Sequence, residues 1–201
     1  MADEIKVLKG LEAVRKKPSM YIGPIDSNGV FTIVREVMDN AVDEFVAKRG
    51  CTEMYVSLYE DGWVAVHDNG RGIPVTKHET EGIPVVQVAV GMLHAGGKLE
   101  AGDGNYSASR GTHGIGVSAT NALSKEFVVL TRPKGKAKWH RTEYEKGKLT
   151  LDTEPVTNAD DLGWMHPVYE DQGTSIFFLP DNTIFDKGSK LAHDEVHGGQ
   201  T

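Results

Sequence analysis

Residues 63–74, with the sequence WVAVHDNGRGIP, decide the fold class of this 201-residue chain. An apolar run of β character ends at the acidic Asp68, and a glycine-rich turn follows it. The Asp61-Gly62 pair just before this run is a strong hairpin signal, and residues 53–59 have the composition of a partner strand. The sequence therefore predicts an antiparallel hairpin that leads into a tight turn.

Helical and strand patterns without regular alternation surround this hairpin. Helices are predicted over residues 10–17, 29–48, 84–93 and 114–123, and further strands over 126–132, 136–145, 148–154 and 173–179. The spacing of apolar residues in the longest helix predicts a buried face made of Val34, Val37, Met38, Ala41, Val42 and Phe45. This order predicts an α+β fold, a two-layer sandwich with helices on one face of a mixed, mostly antiparallel sheet.

The composition excludes several classes of protein. The formal net charge of −7 is opposite to that of domains that grip DNA phosphates, so no direct DNA contact by this domain is expected. No apolar run approaches the ~20 residues of a membrane helix, and the N-terminus lacks the pattern of a secretory signal. The single cysteine, Cys51, is interpreted as a structural residue at a strand edge. These features predict a cytoplasmic protein.

Three polar patterns carry possible chemistry, and each has an ordinary structural alternative. Glu36, Asn40 and Asp43 share one stripe of the long helix, which is also the pattern of a solvated face. Asp68 ends a strand beside closely approachable glycine backbone, where its carboxylate can accept a hydrogen bond from an amino group such as that of adenine; a tight turn explains it equally. Residues 111–117, GTHGIGV, open a helix whose N–H groups suit a phosphate, although they match neither the Rossmann nor the Walker pattern.

Two further residues are candidates because of where they lie. Lys98 follows glycines in the glycine-rich segment 91–116, which is interpreted as a long mobile loop, and a lysine on such an arm can close over phosphates. Thr174 begins a late strand after Gly173, and its hydroxyl can point into a site. The structural alternatives are a solvated side chain for Lys98 and ordinary strand structure for Thr174.

The order and spacing of these patterns resemble the GHKL ATP-binding fold. This superfamily contains type II topoisomerases, MutL, heat-shock chaperones and sensor histidine kinases. Five segments are similar to the N-terminal ATPase domain of gyrase B and topoisomerase IV B subunits: GLEAVRKKPSMYIG, EVMDNAVDE, DNGRGIP, LHAGGK and GTHGIGVSATNALS. The resemblance extends from about Ile5 to about Phe185, and residues 1–185 are expected to form the domain, with 186–201 as a polar, flexible tail.

The resemblance implies a nucleotide site that takes ATP and Mg²⁺. Glu36 is implied as the general base and Asn40 as the Mg²⁺ ligand, while Asp68, supported by Thr174, would hold the adenine amino group. The remaining implied contacts are the pocket wall, the phosphate loop and its lid, and the arginines at the mouth where aminocoumarin inhibitors bind. The pocket wall would be Gly72, Ile73 and Pro74, and the phosphate loop would be Gly111, His113, Gly114, Ile115, Gly116 and Val117. The lid would carry Lys98 and Tyr106, and the arginines at the mouth would be Arg71 and Arg132.

The resemblance also implies partners and exposes departures from the family pattern. The full-length protein would act with a second copy of itself, the gyrase A or topoisomerase IV A subunit, and DNA. Thr32 stands where the family often has a histidine that orients the glutamate, and Arg110 stands where glycine is usual. The arm before Ile5 is short, and a transducer domain with its γ-phosphate lysine does not fit in 201 residues. ATP binding with slow or absent hydrolysis is therefore expected of this chain, and its ending without the rest of the subunit favours a trimmed piece over a natural short chain.

Other functions remain open at the level of the sequence. The domain could be a topoisomerase ATPase module, a nucleotide-binding module that has lost turnover, or another GHKL member such as a histidine kinase or a MutL-like protein. A receiving histidine domain is missing from the chain, and the segments GLEAVRKKPSMYIG and LHAGGK favour the topoisomerase branch. A purely structural α+β domain would require five ordered matches to be accidental. Gyrase and topoisomerase IV are not distinguished.

Overall fold

A computed structural model describes residues 10–48, 50–93 and 115–186. The helices are α1 (Leu11–Lys16), α2 (Ser19–Ile22), α3 (Ser27–Val46), α4 (Val85–Gly91) and α5 (Gly116–Leu123). The strands are β1 (Met54–Leu58), β2 (Val64–Asp68), β3 (Ser124–Arg132), β4 (His140–Glu145), β5 (Lys148–Pro155) and β6 (Gly173–Pro180), and a short 3-10 helix spans Ala159–Leu162. The predicted tail lies outside the described residues except for Asp186, whose N–H donates to Ile25 O at 2.9 Å.

The six strands form one sheet in the order β1-β2-β6-β3-β4-β5, and every neighbouring pair among them is antiparallel. The predicted α+β class with a mostly antiparallel sheet is therefore confirmed, and the strand pairs of the sheet within the described residues are all antiparallel. The predicted strand over 136–145 begins only at His140, because residues 133–139 form the turn between β3 and β4. The short α2 and the 3-10 helix were not predicted, since neither is long enough to show a period.

The helices pack on one face of the sheet, where the main core lies. Val30, Ile33, Val34 and Val37 of α3 pack with Leu123 of α5 against inward-facing side chains of the central strands. Strand alternation directs Val66, Phe127, Val129, Ile176 and Phe178 to this face. A smaller cluster covers the other face, where Ala65, Val128, Leu130 and Phe177 pack against Leu162 of the 3-10 helix.

The predicted apolar face of α3 is wrong at two positions. Val42 and Phe45 are 42% and 59% exposed, whereas Val30, Ile33, Val34, Val37 and Ala41 are buried. The true inward stripe follows the spacing 30, 33, 34, 37 and 41, so the helix is rotated about its axis relative to the prediction. Asp26 begins the helix by accepting from Asn28 N at 2.8 Å. No helix within the described residues is long and apolar enough to cross a membrane.

Candidate functional site

Asp68 lies where β2 ends, in a polar row that crosses three strands. It pairs with Thr174 of β6, which in turn pairs with Thr131 of β3. Directly paired residues of an antiparallel sheet project on the same face, so these three side chains form one row at the end of the main core. The structure therefore brings the predicted Asp68 and Thr174 together and adds Thr131, which was not predicted.

The environment of Asp68 favours its neutral form more than water does. Burial raises the pKa of this carboxyl to about 6, and the nearby charge of Glu44 acts in the same direction. Hydrogen bonds from the backbone N–H groups of Gly70, at 2.9 Å, and of Thr174 partly oppose this shift. At neutral pH the group is thus mostly ionised, and the two backbone hydrogen bonds offset only part of the cost of its burial. Such a carboxylate is well suited to accept a further hydrogen bond from a ligand.

The turn after Asp68 is fixed by contacts from two other segments of the chain. The side-chain oxygen of Asn69 accepts from Thr52 N at 2.8 Å and from Glu53 N at 3.0 Å. The amide of Gln172 donates to Gly70 O at 3.0 Å. These contacts hold the backbone of the turn that follows the Asp68 carboxylate.

The predicted wall residues Gly72 and Ile73 lie on the end of β3. Gly72 has φ +73°, and a Cβ atom there would lie 2.6 Å from Arg132 O. Both the backbone conformation and the lack of space therefore require glycine at this position. Ile73 N donates to Thr131 Oγ1 at 2.8 Å, and Lys134 N donates to Arg71 O at 2.8 Å. Pro74 continues the wall towards α4, its carbonyl accepting from Val86 N at 3.0 Å.

Glu36, on α3, contacts the start of α5. A Cβ atom on Gly116 would lie 2.9 Å from Glu36 Cδ and closer still to Oε2. A glycine at the first helical position therefore leaves room for the carboxylate in this orientation, and the partial positive charge of a helix N-terminus favours it there. The predicted Ile115 is the N-cap of α5, and Val117 packs at the edge of the main core.

Asn40 lies one helical turn beyond Glu36. Its side-chain nitrogen donates to Glu36 O at 2.8 Å, which leaves the amide oxygen as an acceptor. Thr32, one turn before Glu36, donates from Oγ1 to Asn28 O at 2.8 Å. The hydroxyl hydrogen of Thr32 is thus directed to its own helix rather than to the Glu36 carboxylate.

The two predicted arginines of the mouth are held by other protein groups. Arg71 forms an ion pair with Glu44 of α3, with 3.1 Å between Nε and Oε2. Arg132 donates from Nε to Lys136 O at 2.9 Å and from Nη1 to Glu170 O at 2.6 Å. Each guanidinium therefore has a fixed direction, and Arg132 connects the turn after β3 to the segment that leads into β6.

Helix α3 joins the two ends of the site. Glu36 meets Gly116 near one end, and Glu44 meets the turn after Asp68 at the other, where a Cβ atom on Gly70 would lie 3.5 Å from Glu44 Cβ. Eight residues of α-helix correspond to about 12 Å. This separation suits an elongated ligand with an amino-bearing ring at one end and phosphates at the other.

Several predicted residues lie outside the part of the chain that the structure describes. These are Lys98, Tyr106, Gly111, His113 and Gly114, together with Arg110 at the family-atypical position. Within the described residues, sequence reasoning missed Thr131, Glu44 and Gln172. Glu44 lies four residues beyond Asn40, so helical spacing could have identified it. Thr131 and Gln172 carry no local motif; Thr131 becomes recognisable only through its pairing with Thr174, and Gln172 only through its hydrogen bond to Gly70 O.

Comparison with known proteins identifies the family. Residues 25–183 match the family described as histidine kinase-, DNA gyrase B-, and HSP90-like ATPase. The chain belongs to this family. The match covers α3 and the whole six-stranded sheet.

The predicted similarity to gyrase B is confirmed. The chain is 45% identical over 190 residues to the DNA gyrase B protein of Haloferax volcanii and 44% identical over 182 residues to that of Helicobacter pylori strain J99. These alignments cover 92% and 90% of this chain but only 27% and 22% of those two proteins, so the chain spans about a quarter of their length.

A solved structure gives the same similarity in three dimensions. It is the 43K ATPase domain of Thermus thermophilus gyrase B in complex with an aminocoumarin. The TM-score is 0.72 at 36% identity, and the alignment covers 96% of this chain and 44% of that one. The predicted fold of the gyrase B ATPase domain is therefore confirmed.

Proposed function

We propose that this chain binds ATP in the site between α3, α5 and the turn after β2, with Asp68 accepting a hydrogen bond from the adenine amino group. The observation that carries this proposal is the row of Asp68 and Thr174 beside the rigid wall of Gly72 and Ile73. The phosphates would lie at the other end, near the start of α5, where helix N–H groups favour anions. The gyrase B similarity supports the same orientation.

A bound Mg²⁺ ion would neutralise part of the phosphate charge. The donor chemistry fits, since the Asn40 amide oxygen is a hard ligand and its nitrogen is already engaged with Glu36 O. Glu36 would accept a proton from the attacking water as that water forms a bond to the γ-phosphorus and the bond to ADP breaks. The Glu36 carboxylate packs against Gly116, so it would lie at the phosphate end of the proposed site.

In the full-length protein this domain would serve as the ATPase module of a gyrase B-like type II topoisomerase. ATP binding would close a dimer gate between two copies during strand passage, together with the gyrase A or topoisomerase IV A subunit. The names of the relatives and their greater length support this role. The aminocoumarin complex of the Thermus thermophilus domain supports binding of this inhibitor class at the ATP site, with Arg71 and Arg132 at its mouth. A cytoplasmic location stays a prediction from composition.

A second candidate is a nucleotide-binding domain without turnover. The Thr32 hydroxyl favours it, because it donates to Asn28 O rather than towards the carboxylate that would act as the base. The two candidates differ in the effect of Glu36→Ala. An ATPase loses its turnover, whereas a binding domain shows the same background rate with and without the substitution.

The test of nucleotide binding is calorimetric titration with a non-hydrolysable ATP analogue and Mg²⁺. We expect Asp68→Asn to weaken binding at least tenfold, about 1.4 kcal/mol, because a charge-assisted hydrogen bond is lost. Asp61→Asn is the matched control, since Asp61 lies at the opposite end of the hairpin and an asparagine can still accept from Trp63 N. No binding by wild type, or equal binding by wild type and Asp68→Asn, would contradict the proposed site.

A further inference from the structure

Thr131 occupies the junction of the two segments that form the candidate base pocket. Its hydroxyl oxygen accepts from Ile73 N at 2.8 Å, and the same atom lies 3.1 Å from Ile73 O and 3.4 Å from Gly173 O. The residue is fully buried and pairs directly with Thr174. One side chain therefore touches the wall after β2 and the start of β6, yet it belongs to neither.

Residues 71–73 lie along the end of β3 as a short extra strand would, because contacts on either side of Thr131 hold them there. Arg71 O accepts from Lys134 N, Gly72 packs on Arg132 O, and Ile73 bonds to Thr131 through both backbone groups. Only the last of these contacts depends on a side chain. Because Ile73 is held through N–H and C=O together, both its distance from β3 and its rotation are fixed by one hydroxyl.

We infer that Thr131 is a positioning residue for base recognition, whose hydroxyl sets the spacing between the wall of Gly72 and Ile73 and the Asp68–Thr174 pair. This inference rests on the proposed ATP site. Thr131 itself does not contact the nucleotide. A base inserted between the wall and the Asp68–Thr174 pair needs a fixed gap, and its amino group reaches Asp68 only if that gap is kept.

The inference predicts a change in base selectivity rather than a general loss of binding. An adenine nucleotide depends on the hydrogen bond to Asp68, whereas guanine carries an oxygen where adenine carries this amino group. Loosening the wall therefore weakens the binding of the adenine nucleotide more than that of the guanine nucleotide. Loss of overall packing would weaken both equally.

The experiment compares Thr131→Val, which keeps the shape but removes the hydroxyl, with Thr131→Ser, which keeps the hydroxyl. Thr142→Val is the matched control, because Thr142 is also buried and its hydroxyl bonds to Thr153 Oγ1 at 2.8 Å between β4 and β5, away from the turn. Dissociation constants are measured with non-hydrolysable ATP and GTP analogues and Mg²⁺. We expect Thr131→Val to raise the dissociation constant of the ATP analogue at least fivefold and that of the GTP analogue less than twofold. Thr131→Ser and Thr142→Val are expected to bind both analogues as wild type does.

Three outcomes would overturn the inference: unchanged binding by Thr131→Val, equal weakening of both analogues, or an equal loss in Thr142→Val. Failure of the proposed site is distinguishable, since then wild type does not bind the ATP analogue or Asp68→Asn binds it equally well. Hydrogen exchange in wild type provides a measurement that does not require Thr131→Val to fold. The Ile73 amide is expected to exchange at least a hundredfold more slowly than an unstructured amide, and exchange at the unstructured rate would overturn the inference.

Discussion

The raised pKa of Asp68 makes nucleotide affinity depend on pH at the scale of a single residue. With a pKa of about 6, the carboxyl is largely protonated at pH 5 and largely ionised at pH 7. The protonated form is a weaker acceptor for an amino group. We expect the affinity for the ATP analogue to rise about tenfold from pH 5 to pH 7 in wild type, beyond any rise in Asp68→Asn, in calorimetric titrations of both proteins. Parallel pH profiles would show that Asp68 does not contact the base.

The same shift affects folding stability with a defined sign. Because the pKa is raised in the folded protein, the unfolded chain releases this proton first as the pH rises. The stabilisation by protonated Asp68 is therefore fully present below the ordinary value of 3.8 and is lost as the pH rises through about 6. At neutral pH the ionised Asp68 is therefore retained without this stabilisation.

Gly72 and Gly82 offer a matched pair for testing the wall. Both have positive φ, +73° and +70°, but a Cβ atom collides with backbone only at Gly72. We expect Gly82→Ala to lower the free energy of unfolding by about 1–2 kcal/mol and Gly72→Ala by roughly 2–5 kcal/mol, since the second change adds overpacking to the φ strain. Denaturant unfolding measures both values. Equal losses would mean that the wall is not tightly docked on β3.

At the scale of elements, α5 is held at its C-terminal end by α1. Arg15 donates to Ala122 O at 2.6 Å and to Asp181 Oδ2 at 2.6 Å. Burial opposes ionisation of Asp181, but hydrogen bonds from Arg15 and Thr183 outweigh it and hold the pKa of this carboxyl below its ordinary value. The start of α5 contacts Glu36. The Arg15–Asp181 pair therefore helps to place the helix whose start Glu36 contacts.

We expect Arg15→Ala to destabilise the fold by about 3 kcal/mol, because it leaves the buried Asp181 carboxylate without its cation. Thermal or denaturant unfolding measures the loss, and Arg35→Ala on the exposed side of α3 serves as the control, with an expected change within about 0.5 kcal/mol. The stabilisation by ionised Asp181 is present above pH 3.8 and is lost as the pH falls below it, so the difference from wild type should shrink in acid. A constant difference down to pH 3 would contradict this.

Element positions were largely predictable, whereas element rotation and cross-strand contacts were not. The period of α3 predicted a helix, but the exposed Val42 and Phe45 extend the apolar pattern beyond the stripe that is buried. Only packing against the sheet shows that Val30 and Ile33 face inward. Likewise, Asp68 was identifiable from its turn chemistry, while Thr131 was not, because its partners Ile73 and Gly173 are 58 and 42 residues away in the chain.

At the scale of the whole molecule, the proposed ATP site is assembled from residues of separate layers of the fold. Glu36 belongs to the helical layer, Asp68 and Thr174 belong to the sheet, and the wall between them lies on the end of β3. A ligand that touches all of them adds free energy only to the folded state. Nucleotide binding should therefore stabilise the domain as a unit rather than one local segment.

This linkage gives a prediction for the intact domain. A free concentration of the ATP analogue about 100 times its dissociation constant adds about 2.7 kcal/mol to the free energy of unfolding. For a domain of this length we expect the melting temperature to rise by roughly 5–10 °C in differential scanning calorimetry. At that same concentration Asp68→Asn should show a clearly smaller rise, and Asp61→Asn the full one. If wild type binds the analogue but its melting temperature is unchanged, binding occurs equally in the unfolded chain, and a site assembled from α3, β2, β3 and β6 is excluded.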